Sequence, residues 1–185
     1  MSECHVELSG QHVRLYPYVR GAFPRETLYA LWRAVEDDGA AARLFYAQPA
    51  LEESHRGDLT EFIAYFTDPK RVLYIAQSLK TDQVAGMVWF DDIQVGHRAA
   101  ANVFFRRRYW GAAAGEGSRL ALDAAFETMG LASIWAYTPW LYAVRHAERA
   151  GMREVAVLPE FICIEGRPHD LHVLRVCRED RAHGC

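Results

Sequence analysis

A run of very small residues joins a strand-like segment to an amphipathic helix in the middle of this 185-residue chain. The run is GAAAG, from Gly111 to Gly115, and three arginines at 106–108 stand just before it. The first N–H groups of a helix have no intrahelical partner, and the helix dipole is positive there. A phosphate group can accept those N–H groups when no side chain blocks its approach. The pattern therefore predicts either a phosphate site or a tight strand-to-helix turn without a ligand.

The helix after this run is predicted from about Gly115 to Met129, with Gly130 as a natural C-cap. Its two faces differ in polarity at helical spacing. The apolar face carries Leu122, Phe126 and Met129, and the charged face carries Arg119, Asp123 and Glu127. This pattern indicates a helix that packs on a sheet with one side in water.

Hydrophobic periodicity predicts the remaining elements. They are a strand His12–Val19, helices Pro24–Gly39 and Ser54–Pro69, an antiparallel hairpin over 71–95 turning at Lys80–Gln83, a strand over 98–108, a short strand 133–139, a helix 141–151, and a closing hairpin over 153–179 turning at Glu165–Pro168. This order predicts an α/β (α+β) fold, with a mixed, mostly antiparallel sheet flanked by helices, as one domain over residues 1–185.

Composition excludes several classes of protein. The net charge of −3 gives no overall basic footprint, so nucleic acid is disfavoured as a partner. No apolar run approaches the roughly 18 residues of a membrane helix, and the N-terminal segment lacks a signal-peptide core. A cytoplasmic protein without a membrane partner is expected.

The four cysteines do not form a CxxC pair, and no HExxH motif is present, so no metal is predicted. Cys163 and Cys177 are expected to be buried strand thiols, because a free cysteine behaves as a small hydrophobe. Cys4 and Cys185 complete the set. This cysteine usage fits a reducing cytoplasm.

The element order and the small-residue junction resemble the GNAT superfamily of acyl-CoA-dependent N-acyltransferases over nearly the whole chain. The segment YWGAAAGEG at 109–117 is similar to the Y-W-G-K-G-Y-A-T-E-A segment of the branch that contains ribosomal-protein alanine N-acetyltransferases. Downstream, TPWLYAVRHAERAGM at 138–152 resembles the turn, helix and closing E-K-x-G-F of that branch. The C-terminal part also resembles GNAT proteins of phages and prophages, which implies a bacterial or phage origin.

This resemblance implies acetyl-CoA as co-substrate, without a metal. The diphosphate of coenzyme A would lie over Trp110–Gly115, and the pantetheine arm would bond to the backbone of strand Val103–Phe105. The implied cofactor-binding residues are Val103, Phe104, Phe105, Trp110, Gly111, Ala112, Ala113, Ala114, Gly115 and Glu116.

The chain departs from the family at several of these positions. The central glycine of the motif aligns with Ala113, so a backbone angle open mainly to glycine would be lost. Glu116 would repel a diphosphate, an effect that the arginines at 106–108 would offset. Side chains that serve the cofactor or the leaving thiolate elsewhere in the family align with Ala112, Trp140, Ala143 and Ala147. Three hypotheses stay open: an active N-acyltransferase, a GNAT-fold binding or structural module, and a GNAT-fold enzyme that modifies a nucleobase.

The implied reaction is direct attack of a primary amine on the thioester in a ternary complex. It needs a base for the amine, a donor for the leaving thiolate and an N–H for the oxyanion. Tyr142 is the candidate donor, Asp92 and His97 are candidate bases, and Phe104 or Phe105 would supply the N–H. Strand alternation aims Asp91 and Asp92 oppositely, so at most one faces the cleft.

Asn102, just ahead of the pantetheine strand, could hold a water. The acceptor is either an amine-bearing small molecule or a protein N-terminus, and a homodimer is left open.

Overall fold

The apolar runs of the sequence form one eight-stranded sheet in the computed structural model, which describes residues 7–18, 25–44 and 59–182. The strands are β1 (Leu8–Ser9), β2 (Val13–Pro17), β3 (Val72–Ser78), β4 (Val84–Gln94), β5 (Arg98–Phe105), β6 (Ser133–Thr138), β7 (Arg153–Ile164) and β8 (Arg167–Cys177). Their order is β1-β2-β3-β4-β5-β6-β8-β7, and every pair is antiparallel except β5 with β6. The mixed, mostly antiparallel sheet predicted from the sequence is confirmed.

Helices cover both faces of this sheet. They are α1 (Arg25–Asp37), α2 (Ala41–Leu44), α3 (Leu59–Phe66), α4 (Ala112–Met129), α5 (Leu141–Arg149) and α6 (Arg178–Ala182), with a 3₁₀ turn at Arg107–Tyr109. The apolar stripes of α1 and α3 pack on one face, where Leu31, Phe62 and Trp89 are buried. Helix α4 covers the other face with Leu122 and Phe126. None of the described helices is both long and apolar enough to cross a membrane.

Neighbouring side chains of β5 enter different cores. Phe104 packs in the cluster under α1 and α3, whereas Phe105 packs against α4. Gly117 permits the second contact, because a Cβ there would lie 2.6 Å from the Phe105 ring. This close approach holds the start of α4 against the end of β5.

Several local predictions need correction. Helix α4 begins at Ala112, three residues earlier than expected, and β5 ends at Phe105. Cys163 is exposed, because β7 is an edge strand with little cover, and Cys177 at the end of β8 is only partly buried. The helical spacing of Leu141, Val144 and Ala147 predicts that all three face inward, but Leu141 is 61% exposed at the start of α5.

Some expectations fall on other parts of the chain. Cys4, Cys185 and the predicted helix start at Ser54 lie outside the described residues. The short elements β1, α2 and α6 were not predicted from the sequence, because two to five residues show no periodicity.

Candidate functional site

The only parallel strand pair of the described sheet opens into a cleft. Strands β5 and β6 pair at three positions, and the last pair joins Ala100 to Trp135. Beyond it the strands diverge, and a cleft of about 390 Å³ lies between them. Its walls come from β5, β6, the segment before α4, helix α5, and the α1–α2 connection.

Backbone groups of β5 face this cleft. Arg106 N–H donates to Ala85 O of β4 at 2.9 Å. Because hydrogen-bonded and non-hydrogen-bonded pairs alternate in an antiparallel ladder, the N–H and C=O of Ala101, Val103 and Phe105 point away from β4 and into the cleft. The N–H of Phe104 points to β4, so of the two donors suggested by the sequence only Phe105 has the required orientation.

The N-terminus of α4 lies at the mouth of the cleft, with Gly111 and Ala114 in the lining. Gly111 has φ +95° and ψ −124°, a conformation essentially restricted to glycine, and no side chain caps the helix. Ala113 is within the helix, so the expected loss of a special backbone angle there does not occur: Gly111 adopts it instead. Among the described residues, no hydrogen-bond acceptor is found for the N–H groups of Ala112 and Ala113.

Glu116 is turned away from that helix end. Its carboxylate accepts hydrogen bonds from the backbone N–H of Gln11 (2.6 Å), His12 (2.7 Å) and Val13 (3.1 Å). Burial acts to raise the pKa of Glu116, but the three donors outweigh it and lower the pKa below its ordinary value. A bare Gly10 makes room, since a Cβ there would lie 2.3 Å from the Glu116 carboxyl carbon. The carboxylate therefore fastens α4 to the β1–β2 turn, and the expected repulsion of a diphosphate loses its basis.

Cations reach the cleft from two directions. Of the three arginines before α4, Arg106 pairs with Asp37 at 3.5 Å and Arg108 bonds to Gln83 at 2.7 Å, and only Arg107 lines the cleft. Arg145 and Arg149 of α5 also line it and are exposed. Arg145 and Arg149 were not predicted from the sequence, although their i, i+4 spacing indicates one basic face of the helix.

Three stacked aromatic rings cross the mouth of the cleft. Trp110 stacks on Tyr142 with ring centroids 5.9 Å apart, and Tyr142 stacks on Trp140 at 6.4 Å. The indole N–H of Trp110 donates to the cleft-facing carbonyl of Phe105 at 2.8 Å. We call Trp110, Tyr142 and Trp140 the aromatic stack. It places Tyr142, the candidate proton donor, at the mouth of the cleft, where 45% of it is exposed.

The two candidate bases do not reach the cleft. Asp92 has φ +46° near the β4–β5 turn, and its carboxylate pairs with Arg98 at 3.0 Å. His97 is exposed in the same turn. Both residues lie at the β4–β5 turn, beside the 98–100 segment where β5 still pairs with β6, and not at the splayed end, so neither residue lines the cavity.

Asp91 is instead the more buried of the two neighbouring carboxylates. It accepts hydrogen bonds from the Tyr65 hydroxyl at 3.3 Å and the Asn102 amide at 3.2 Å. Burial raises the pKa of Asp91, and the nearby Arg71 opposes this effect. Asn102 lines the cleft and Asp91 does not, so the carboxylate serves to hold the amide in place.

A serine–histidine pair below the cleft was not anticipated from the sequence. Ser118 Oγ of α4 lies 2.8 Å from His146 Nε2 of α5. Ser118 is 6% exposed, and His146 lines the cleft. The two residues are 28 positions apart, and neither belongs to a motif.

The described residues contain no group of three or more His, Cys, Asp or Glu side chains placed to hold a metal ion.

Comparisons with known proteins point to one fold. No family model and no curated protein sequence matches the chain. Among solved structures, a GNAT-family acetyltransferase from Bacillus anthracis is 17% identical, with a TM-score of 0.69 over 94% of this chain and 99% of that one. A probable GNAT acetyltransferase from Chromobacterium violaceum is 19% identical, with a TM-score of 0.73 over 95% and 88%.

A third structure carries ligands. Spermidine N-acetyltransferase from Vibrio cholerae, in complex with CoA and spermine, is 18% identical, with a TM-score of 0.67 over 90% of this chain and 96% of that one. The chain therefore has the acyl-CoA N-acyltransferase fold of the GNAT acetyltransferases.

Proposed function

We propose that this protein is an acyl-CoA-dependent N-acyltransferase that moves an acetyl group from acetyl-CoA to a primary amine by direct attack in a ternary complex. One observation carries the proposal. The cleft-facing backbone groups of the splayed strand β5 and the uncapped N-terminus of α4 line the same cleft.

The described residues fit coenzyme A at both of its polar parts. The N–H groups of Ala112 and Ala113 suit a diphosphate, because only methyl groups stand beside them and the helix dipole is positive there. Arg107, Arg145 and Arg149 add positive charge on both sides of the cleft. The cleft-facing backbone of Val103 can bond an extended amide-containing arm as a neighbouring strand would.

Phe105 supplies the electrostatic part of the chemistry in this proposal. Its N–H faces the cleft and is held by the β4–β5 ladder, so it can stabilise a developing oxyanion without reorganising. Exclusion of water comes from the aromatic stack at the mouth and from the buried strand walls.

The cleft is also lined by Leu44, Tyr137 and Asp38, and the Asp38 carboxylate accepts a hydrogen bond from the backbone N–H of Arg107 at 2.6 Å. A carboxylate beside apolar walls suits a cationic amine, either a small polyamine-like molecule or a protein N-terminus. The finer resemblance to the ribosomal-protein alanine N-acetyltransferase branch favours the N-terminus, and spermine in the Vibrio cholerae neighbour favours the small amine. We also propose that residues 1–185 form one domain and that the protein acts in the cytoplasm.

A specific contact favours a second candidate function. The Trp110 indole N–H already donates a hydrogen bond to the Phe105 carbonyl, and the aromatic stack spans the mouth where coenzyme A would enter. If these rings do not open, the GNAT fold serves here as a binding module without acyl transfer.

The first experiment is calorimetric titration of acetyl-CoA into the wild type, Ala112→Asp and Ala112→Asn. Ala112 is exposed in the first helical turn, where a carboxylate stabilises the helix, so lost binding cannot be ascribed to unfolding. Asn has the shape of Asp without its charge. We expect Asp to weaken binding by at least about tenfold, or about 1.4 kcal/mol, and Asn to leave it nearly unchanged.

Equal affinities of the Asp and Asn variants would show that the diphosphate lies elsewhere. Absence of binding to the wild type would favour the binding module. If the wild type binds acetyl-CoA, release of free thiol is measured with spermine and with a peptide that has an N-terminal alanine. The substrate that gives release identifies the acceptor class.

A further inference from the structure

His146 occupies a position in the site that the proposed reaction has so far left unused. It lines the main cleft and a second cavity of about 50 Å³ behind it. Both cavities also contain Ala101 and Ala136. These are the first residues past the last β5–β6 pair, so the imidazole faces the point where the two strands separate.

Ser118 fixes the ring of His146. The 2.8 Å contact joins Ser118 Oγ to Nε2 across the α4–α5 interface, and the serine is buried. A hydroxyl oxygen can accept a hydrogen bond from a protonated Nε2, and in that tautomer the ring lone pair is on Nδ1, which Ser118 does not occupy. With the hydrogen on Nε2, Nδ1 is the nitrogen that can take up a further proton.

The surroundings keep this imidazole neutral. Burial lowers the pKa of His146, and the Arg149 cation lowers it further. The neutral polar groups that line the second cavity with it are Ser118 of α4 and Asn102 of β5. The charged or titratable groups that share the main cleft are Asp38, Arg107, Tyr137, Tyr142, Arg145 and Arg149.

We infer that His146 carries a proton from the attacking amine to the leaving sulfur, with Ser118 as its positioning residue. The inference rests on the proposed acyl transfer. The acceptor ammonium first loses a proton to water and attacks as the neutral amine. Its nitrogen then forms a bond to the thioester carbon, and the imidazole takes one proton from that nitrogen. The carbon–sulfur bond then breaks, and the imidazolium returns the proton to the sulfur, so His146 ends neutral as it began. Before the carbon–sulfur bond breaks, the amine nitrogen and the sulfur are bonded to the same carbon. One imidazole can therefore take the proton from the nitrogen and give it to the sulfur.

Other candidates fit this step less well. Tyr142 is at the mouth, within the aromatic stack, and does not line the second cavity. Asp91 is bonded to Tyr65 and Asn102 and lines neither cavity. His146 alone, among the titratable side chains that the structure describes, lines both.

The test compares the wild type with His146→Ala, measuring thiol release and acetyl-CoA affinity. We expect kcat to fall by about 100-fold or more while the affinity stays unchanged. Added imidazole should restore part of kcat in His146→Ala, since the vacated space adjoins the second cavity. The matched control is His12→Gln, an exposed histidine outside the cleft, which should retain full activity.

The pH profile supplies a readout that a merely structural role would not move. In the wild type, kcat/KM should fall as pH decreases through the lowered pKa of His146, because the imidazolium cannot accept the amine proton. This acidic limb should disappear in His146→Ala and shift in Ser118→Ala, which keeps the ring but removes its hydroxyl partner.

Two results would overturn the inference. One is a His146→Ala protein that binds acetyl-CoA and retains kcat. The other is a folded, inactive His146→Ala that imidazole does not restore, together with an unshifted profile in Ser118→Ala. A wild type that neither binds acetyl-CoA nor releases thiol would overturn the proposed function as well, so the two failures are distinguishable.

Discussion

Replacement of Glu116 by glutamine tests how the start of α4 is held against the sheet. The carboxylate accepts three backbone N–H groups of the β1–β2 turn, and an amide keeps only one acceptor oxygen. A hydrogen bond to a charged group contributes about 1.5–3 kcal/mol. Because Gln11 and His12 are exposed, water replaces part of what is lost. We expect a loss of about 2 kcal/mol in the free energy of unfolding, or about 4–8 °C in Tm for a chain of this size.

The loss should depend on pH in a defined direction. The folded-state pKa of Glu116 is lowered, so its contribution is fully present above the unfolded carboxyl value, which is ordinarily 4.5. It is lost as pH falls through the lower folded value, where the carboxylate is protonated in both states. Wild type and Glu116→Gln should therefore differ most near neutrality and converge in acid.

Urea unfolding at several pH values measures this difference. The control is Glu127→Gln, an exposed glutamate on the same helix for which no hydrogen bond is found among the described residues. Equal stability of the two variants at neutral pH would refute the anchoring argument. Acetyl-CoA titration adds a second readout: if Glu116 repelled the diphosphate, the glutamine variant would bind more tightly, and its orientation predicts that it will not.

Three further predictions concern the cleft. Gly111→Ala should lower the free energy of unfolding by about 1–3 kcal/mol, because φ of Gly111 is +95°. Its control, Gly115→Ala, is within the helix with open space at the Cβ and should be neutral or stabilising; equal melting temperatures of the two variants would contradict this. The double variant Arg145→Gln/Arg149→Gln should bind acetyl-CoA more weakly, and its affinity should depend less on salt concentration than that of the wild type. Calorimetry at two ionic strengths measures both effects, and an unchanged salt dependence would place the phosphates elsewhere. Trp110→Phe keeps an aromatic ring but frees a cleft-facing carbonyl, so acetyl-CoA should bind more tightly, and weaker binding would show that the indole N–H assists the ligand.

The sequence predicted the elements whose signals are local. The β-rich apolar runs of β3 and β4, the apolar stripes of α1 and α3, and the C-cap at Gly130, which has φ +65°, all arise from neighbouring residues. The lack of large side chains at the start of α4 was also evident from the Gly and Ala residues of the sequence, although the first residue of the helix was predicted three positions too late. The register of the strands was not evident, because pairing energy depends on residues far apart in the chain.

The chemistry of the cleft was decided mainly by tertiary structure. Asp92 and His97 have suitable side chains, but they lie at the closed end of the β4–β5 hairpin, away from the splay. Ser118 and His146 carry no motif, and only the packing of α4 against α5 brings them to 2.8 Å. In both cases the side chain determines the available chemistry. Long-range packing determines whether that chemistry reaches the point where β5 and β6 part.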